Sequence, residues 1–190
     1  AEALLTDPVS GDDLEMFNFY DEKGRVIRTV DALGREAVYE YDAMDRQILI
    51  VDPLGNETRH QYDAHNNLIR TDSINQIFDD SGNVIGQHFF ATSSSYDELD
   101  RITTKTDSLG NTTQFFYDSR GNVIRLVDAL ENEVRTDFDI FNRLITTTRF
   151  LTDTGLGPVT ANAAQIIKRQ RYDENGNVIA VIDPQGRQTN

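Results

Sequence analysis

The stretch Tyr41–Asn56, YDAMDRQILIVDPLGN, decides the reading of this chain, because most of the remaining sequence is imperfect copies of it. An aromatic residue followed by Asp recurs at Tyr20-Asp21, Tyr41-Asp42, Tyr62-Asp63, Tyr96-Asp97, Tyr117-Asp118, Phe138-Asp139 and Tyr172-Asp173, with separations of 21, 21, 34, 21, 21 and 34 residues. A fixed period of this length marks a repeat array, and the repeat then governs the fold. A second order lies above it: Tyr20 to Tyr96, Tyr41 to Tyr117, Tyr62 to Phe138 and Tyr96 to Tyr172 are each 76 residues apart.

Three residues after the seven Asp stand Gly24, Asp45, Asn66, Asp100, Gly121, Asn142 and Gly176. Only Gly, Asn and Asp occur there, the residues that best tolerate a positive φ. Asp first and a left-handed residue three positions later fit a type I turn with a bulge, which closes a hairpin. The Asp carboxylate is placed to accept backbone N–H groups inside the turn.

A second turn follows the next apolar run: Asp31-Ala-Leu-Gly34, Asp52-Pro-Leu-Gly55, Asp107-Ser-Leu-Gly110 and Asp183-Pro-Gln-Gly186. Pro suits its second position and Gly its fourth. Asp128-Ala-Leu-Glu131 departs from the pattern at its last residue, and a wider turn is expected there. Runs such as Ile48–Val51 and Val123–Val127 between the turns read as strands, as do the arms before each Tyr. The expected fold is all-β: a curved or spiralling antiparallel sheet of consecutive β-hairpins, with about two strands per repeat.

Residues 1–16 carry no repeat and read as an irregular lead-in; the β array is expected over 17–190. Within it two long units, about 73–95 and 149–167, are expected to hold extra hairpins stacked on one side of a winding sheet. Phe78–Ile85 copies the first-turn pattern in the former, and Gly155-Leu-Gly157-Pro158 breaks the chain in the latter. Asn162–Lys168 has a helical flavour but is too short to hold a helix. The pattern stops just past a second turn, so the chain is expected to be a piece of a longer protein whose export signal lies outside it.

Composition narrows the function. Hydrophobic residues make up 38% of the 190, below the usual roughly 45–50% of globular domains, as suits a thin sheet. A net charge of −14 disfavours nucleic acid and anionic membrane surfaces. There is no cysteine, hence no disulfide and no thiolate metal site. No apolar run reaches the roughly 20 residues of a membrane-spanning helix.

No catalytic constellation is legible, and no cofactor is expected. Asp79-Asp80-Ser-Gly82-Asn83 and Asp173-Glu174-Asn-Gly176-Asn177 look oxygen-rich, yet they lack calcium-loop spacing and offer too few ligands from one tight turn. His60, His65 and His88 share no metal-ligand spacing. Acidic pairs for glycoside hydrolysis would have to come from different strands. The residues singled out are therefore repeat anchors: Tyr20, Asp21, Gly24, Tyr41, Asp42, Asp52, Gly55, Tyr62, Asp63, Tyr96, Asp97, Tyr117, Asp118, Gly121, Phe138, Asp139, Tyr172, Asp173 and Gly176. Their aromatic column either covers neighbouring turns and fixes strand register, or forms a rim that binds sugars or partners. Phe138, lacking a hydroxyl, favours the former.

These residues resemble the RHS or YD-repeat family, whose pattern runs like YDxxGRLxxxxDPxGN. Tyr41-Asp42, Asp52-Pro-Leu-Gly55-Asn56, Tyr20-Asp-Glu-Lys-Gly24-Arg25 and Asp183-Pro-Gln-Gly186-Arg187 carry the similarity, which covers about 17–190 apart from the long units. The family includes polymorphic toxins, cocoon components of insecticidal toxin complexes, wall-associated proteins and teneurins. The resemblance implies a secreted or cell-surface, non-catalytic structural segment. Its sheet would form part of a shell or scaffold that encloses or presents another domain, such as a C-terminal toxin. The alternative is a surface adhesion or carbohydrate-binding array. The implied partners are neighbouring repeats and either an enclosed effector or a surface glycan. The core motif that seals such shells and directs self-cleavage has no counterpart here.

Overall fold

The computed structural model describes residues 16–151 and 164–189. Fifteen strands hydrogen-bond in chain order into one open antiparallel sheet. The chain divides into two compact units, Ala1–Ser93 and Ser94–Asn190. The first holds β1 (Phe17–Tyr20), β2 (Val26–Val30), β3 (Glu36–Tyr41), β4 (Gln47–Val51), β5 (Glu57–Tyr62) and β6 (Leu68–Phe78). The boundary falls inside β7 (Val84–Tyr96). The second holds β8 (Ile102–Thr106), β9 (Thr112–Tyr117), β10 (Val123–Val127), β11 (Glu133–Phe138), β12 (Leu144–Leu151), β13 (Ala164–Tyr172), β14 (Val178–Ile182) and β15 (Gln188–Thr189).

All thirteen described connections use one backbone device. The Asp N–H donates to the carbonyl four residues on, and the N–H three residues on donates back to the Asp carbonyl, as in Asp118 N to Asn122 O (3.0 Å) and Gly121 N to Asp118 O (3.1 Å). The fourth residue must be left-handed to close both bonds. Gly121 sits at φ 88°, and Asp45, Asn66, Asp100 and Asn142 adopt the same conformation. Glu131 joins them at φ 61°, so the turn at Asp128 is not widened: its two bonds measure 3.0 and 2.9 Å, like the rest. Backbone closure plus capping of Asp128 by Asn132 holds a residue type that ordinarily avoids this region.

At the turns after Tyr20, Tyr41, Tyr62, Tyr117, Phe138 and Tyr172 the register slips by one residue. Glu40 pairs with Leu49 but Tyr41 with Gln47, and Arg125 pairs with Phe116 but Val123 with Tyr117. Such a bulge increases local twist. In the first long unit β6 and β7 are simply long, pairing from Arg70↔Ser93 to Phe78↔Val84 around the turn at Asp79. Residues 164–168 lie in strand β13. The lead-in up to residue 15 and the connection 152–163, with its Gly-Pro breaker, lie outside the described residues.

The sheet has almost no interior. Among the described residues only Ala180 and Glu133 are buried, and the strands are otherwise half-covered by their neighbours. Stability therefore resides in pairwise contacts between adjacent hairpins, as in other arrays.

Candidate functional site

The chemistry of the chain is concentrated in its turns. Each turn Asp spends its whole carboxylate locally. In the Asp97 turn, Oδ1 accepts from Leu99 N (2.9 Å) and Arg101 N (3.0 Å), and Oδ2 accepts from Arg101 Nε (2.8 Å). In the Asp118 turn the same oxygens take Arg120 N, Asn122 N and Asn122 Nδ2, each at 2.9 Å. Asp79, the most calcium-like candidate, is likewise capped by Ser81 N, Asn83 N and Asn83 Nδ2.

In the Asp79, Asp97 and Asp118 turns these bonds favour the ionised carboxylate and lower its pKa. For Asp97 the main cause is the Arg101 side chain, and for Asp21 it is the backbone N–H of Arg25. For Asp42, partial burial pulls the other way and is outweighed by the backbone and side-chain donors of Arg46.

The partner four residues after each of the thirteen turn Asp is always Arg or Asn, a signal present in the sequence but not among the anchors singled out above. Where it is Arg in a Tyr-Asp turn, it also reaches the next hairpin. Arg46 donates from Nη1 to Asp63 O (2.9 Å) and Asn66 Oδ1 (3.0 Å), and Arg101 from Nη1 to Asp118 O (3.2 Å). Arg143 does the same to Asp173 O at 3.1 Å.

The aromatic column completes this ladder. The guanidinium carbons of Arg25, Arg46, Arg101 and Arg143 lie 4.7, 4.8, 4.5 and 4.7 Å from the ring centres of Tyr41, Tyr62, Tyr117 and Tyr172. The hydroxyls of those four tyrosines donate to Val26 O (2.9 Å), Gln47 O (3.1 Å), Ile102 O (2.8 Å) and Leu144 O (2.8 Å), each the first residue of the strand that follows the preceding Tyr-Asp or Phe-Asp turn. Each such Tyr therefore gives both its hydroxyl and one ring face to the neighbouring repeat. Phe138 has no hydroxyl, and Thr136, two residues earlier on the same strand face, donates to Val123 O in its place.

The other anchors fall at matching places. Tyr20 ends β1 and Tyr96 ends β7, each half-buried beside its turn. Gly24, Gly55 and Gly176 take the left-handed position, at φ 80°, 77° and 86°. Asp63, Asp139 and Asp173 cap their turns as Asp97 does, and Asp52 is capped by Leu54 N, Asn56 N and Asn56 Nδ2. The histidines remain apart: His60 contacts Thr71 Oγ1 at 3.2 Å, His65 N caps Asp63, and His88 stands edge-on to Phe90. Among the described residues no three His, Asp or Glu side chains converge as a metal site.

A second polar cluster lies on the sheet surface of the second unit. Glu133 is only 4% exposed; Arg135 donates to it from Nε, and Arg125 Nε lies 2.8 Å away, out of line for a hydrogen bond. Burial pushes the Glu133 pKa up, but the two guanidinium groups bring it below the usual value. Gln114, Asp128 and Glu131 border the same open groove, of about 630 Å³. The equivalent pair in the first unit, Glu57 and Arg59, is a two-residue version of it at 2.6 Å. Arg125 meets Glu133 across β10 and β11, whereas Glu133–Arg135 and Glu57–Arg59 are pairs along a single strand.

The turn signature at the start of each repeat unit matches a known family model, described as RHS Repeat, over residues 20–55 and 96–132. These two segments are RHS repeats. They begin 76 residues apart, at Tyr20 and Tyr96, and each contains two Tyr-Asp turns. No curated protein matches the chain in sequence. Among solved structures, the chain is similar over 92% of its length to 12% of a chain in the crystal structure of TcdB2-TccC3-TEV, at 15% identity and a TM-score of 0.38. It is similar over 88% of its length to 12% of a chain in the Photorhabdus luminescens Tc holotoxin pore, at 14% identity and a TM-score of 0.31. It thus spans about an eighth of the length of those chains.

Proposed function

We propose that this structural RHS-repeat segment is a stretch of wall in a larger exported protein, part of a β-shell or scaffold that encloses or presents another domain, such as a C-terminal toxin. What carries this reading is the internal use of the turn ladder. Asp carboxylates, Arg forks and four Tyr hydroxyls are committed to the chain's own backbone and to neighbouring hairpins. A wall needs groups that act by geometry, with chemistry directed along the sheet.

The adhesion or glycan-binding alternative requires free aromatic faces. The Arg stacked 4.5 to 4.8 Å over four of the tyrosines works against it. The test is protease protection in the full-length parent protein. A domain encoded downstream of the repeats should resist proteolysis while the array is folded and become cleavable once the array is unfolded. Equal cleavage in both conditions, or glycan-array binding lost on Tyr117→Ala with the fold retained, would replace the wall reading with the adhesive one.

A further inference from the structure

Asn-Gly occurs once in the 190 residues, at Asn175-Gly176. It lies in the turn between β13 and β14, and both residues are exposed. A glycine after asparagine leaves its backbone nitrogen open to the asparagine amide carbon, because no side chain stands in the way. A Cβ built on Gly176 would meet nothing nearer than Arg143 Nη1, at 4.0 Å. Asparagines at other corners precede bulkier residues, as in Asn66-Asn67 and Asn142-Arg143. The folded turn holds this pair back. Gly176 N donates to Asp173 O (3.2 Å), the same oxygen accepts from Arg143 Nη1 (3.1 Å), and Asp173 N donates to Asn177 O (3.0 Å). Gly176 N cannot reach the Asn175 amide until the Asn175 Cα–C bond rotates, and that rotation breaks its bond to Asp173 O.

We infer that Asn175 is a self-modification site, which deamidates when the turn between β13 and β14 opens. The Gly176 backbone nitrogen gives its proton to solvent base and attacks Asn175 Cγ. The new N–Cγ bond forms as the Cγ–Nδ2 bond breaks, and the amide nitrogen leaves as ammonia. Water then opens the resulting succinimide. Attack at Cγ breaks the new bond and leaves aspartate; attack at the Asn175 main-chain carbonyl breaks the old peptide bond and leaves isoaspartate. Water is the only co-reactant, and nothing is oxidised or reduced. Either product adds a negative charge next to Glu174 in a chain already at −14. Isoaspartate also routes the backbone through Cβ and Cγ, so the turn gains an atom between the two bonds that close it. The Tyr172↔Val178 pairing beside the turn is set for the shorter path and is lost with it. Arg143, reaching across from the preceding hairpin, is therefore a brake on the reaction. This chemistry is independent of what the wall encloses.

Incubating the full chain at mildly alkaline pH, with peptide mass spectrometry to locate the products, tests it. Asn175 should convert ahead of every other asparagine, to aspartate and isoaspartate, with release of ammonia. Unfolding in urea should speed that conversion at least about tenfold, since the folded turn reacts only while it is locally open. Arg143→Asn keeps a cap for Asp139, as Asn does at other turns, but removes the second donor to Asp173 O. It should speed conversion about fivefold, the worth of one hydrogen bond, with an unchanged circular dichroism spectrum. Asn175→Ser, with the residue that Ser81 places before Gly82, should abolish the early ammonia release. No conversion at Asn175, earlier conversion elsewhere, equal rates folded and unfolded, or an Arg143→Asn rate equal to the parent's would each overturn the proposal.

Discussion

Thr136 donates its hydroxyl hydrogen to the carbonyl of Val123, taking the place that a tyrosine hydroxyl fills in the neighbouring repeats. Phe138 stands where that tyrosine would be, fifteen residues beyond Val123, just as Tyr117 stands fifteen beyond Ile102. The bond is kept although its donor has moved two residues along the strand. Thr136→Ala should therefore destabilise the second unit by about 1 kcal/mol, the net worth of one hydrogen bond. Phe138→Tyr in the Thr136→Ala background should recover most of that loss, while Phe138→Tyr alone should recover nothing. A double-mutant cycle by urea denaturation measures this coupling, and strict additivity would show that the two hydroxyls do not share an acceptor.

Tyr117→Phe removes the Ile102 bond where no threonine replaces it, since position 115 is Phe. The expected cost is again about 1 kcal/mol, without the collapse that loss of the ring would bring. Equal stability of Tyr117→Phe and the parent chain would make the hydroxyl dispensable.

Arg101 acts in three directions at once, on Asp97, on Asp118 O and on the Tyr117 ring. Lys lacks the planar fork needed for all three. Arg101→Asn should be better tolerated than Arg101→Lys, because Asn at this position caps the turn Asp in seven other turns. The denaturation midpoints should rank Arg, then Asn, then Lys; a Lys variant equal to the parent would sink the fork argument.

Glu131 holds φ 61°, a conformation that costs an L-residue about 1–2 kcal/mol. Glycine relieves that cost and loses about 0.5–1 kcal/mol through its freer unfolded chain. Glu131→Gly should thus stabilise the second unit by up to about 1 kcal/mol, read as a higher urea midpoint at unchanged slope.

Acid should loosen the array. The carboxylates of Asp21, Asp42, Asp97, Asp118 and Asp139 are depressed below their ordinary values in the folded chain. A group with a lowered folded pKa adds stability that is present above its unfolded pKa, about 3.9, and is lost as pH falls through the folded value. Stability from these groups should be flat between pH 5 and 7, about where they are fully ionised, and should fall below about pH 4. Constant stability from pH 6 to pH 3, measured by denaturant midpoint, would show that the caps contribute little.

The sequence alone determined the array: a 21-residue period, Asp at each corner and Gly, Asn or Asp three residues later leave a chain of hairpins as the consistent structure, because only a few residue types tolerate the left-handed corner. It also held the Arg-or-Asn signal after every corner, whose meaning depends on a partner at Asp Oδ2. The tertiary structure decided what spans repeats. Arg101 reaching Asp118 O, Tyr117 reaching Ile102 O, Thr136 standing in for a missing hydroxyl and Arg125 meeting Glu133 all join residues brought together only by strand pairing and bulge twist. The turn at Asp128 belongs with these. Its last residue gives no sign of a left-handed corner, and the two backbone bonds that close the hairpin impose one.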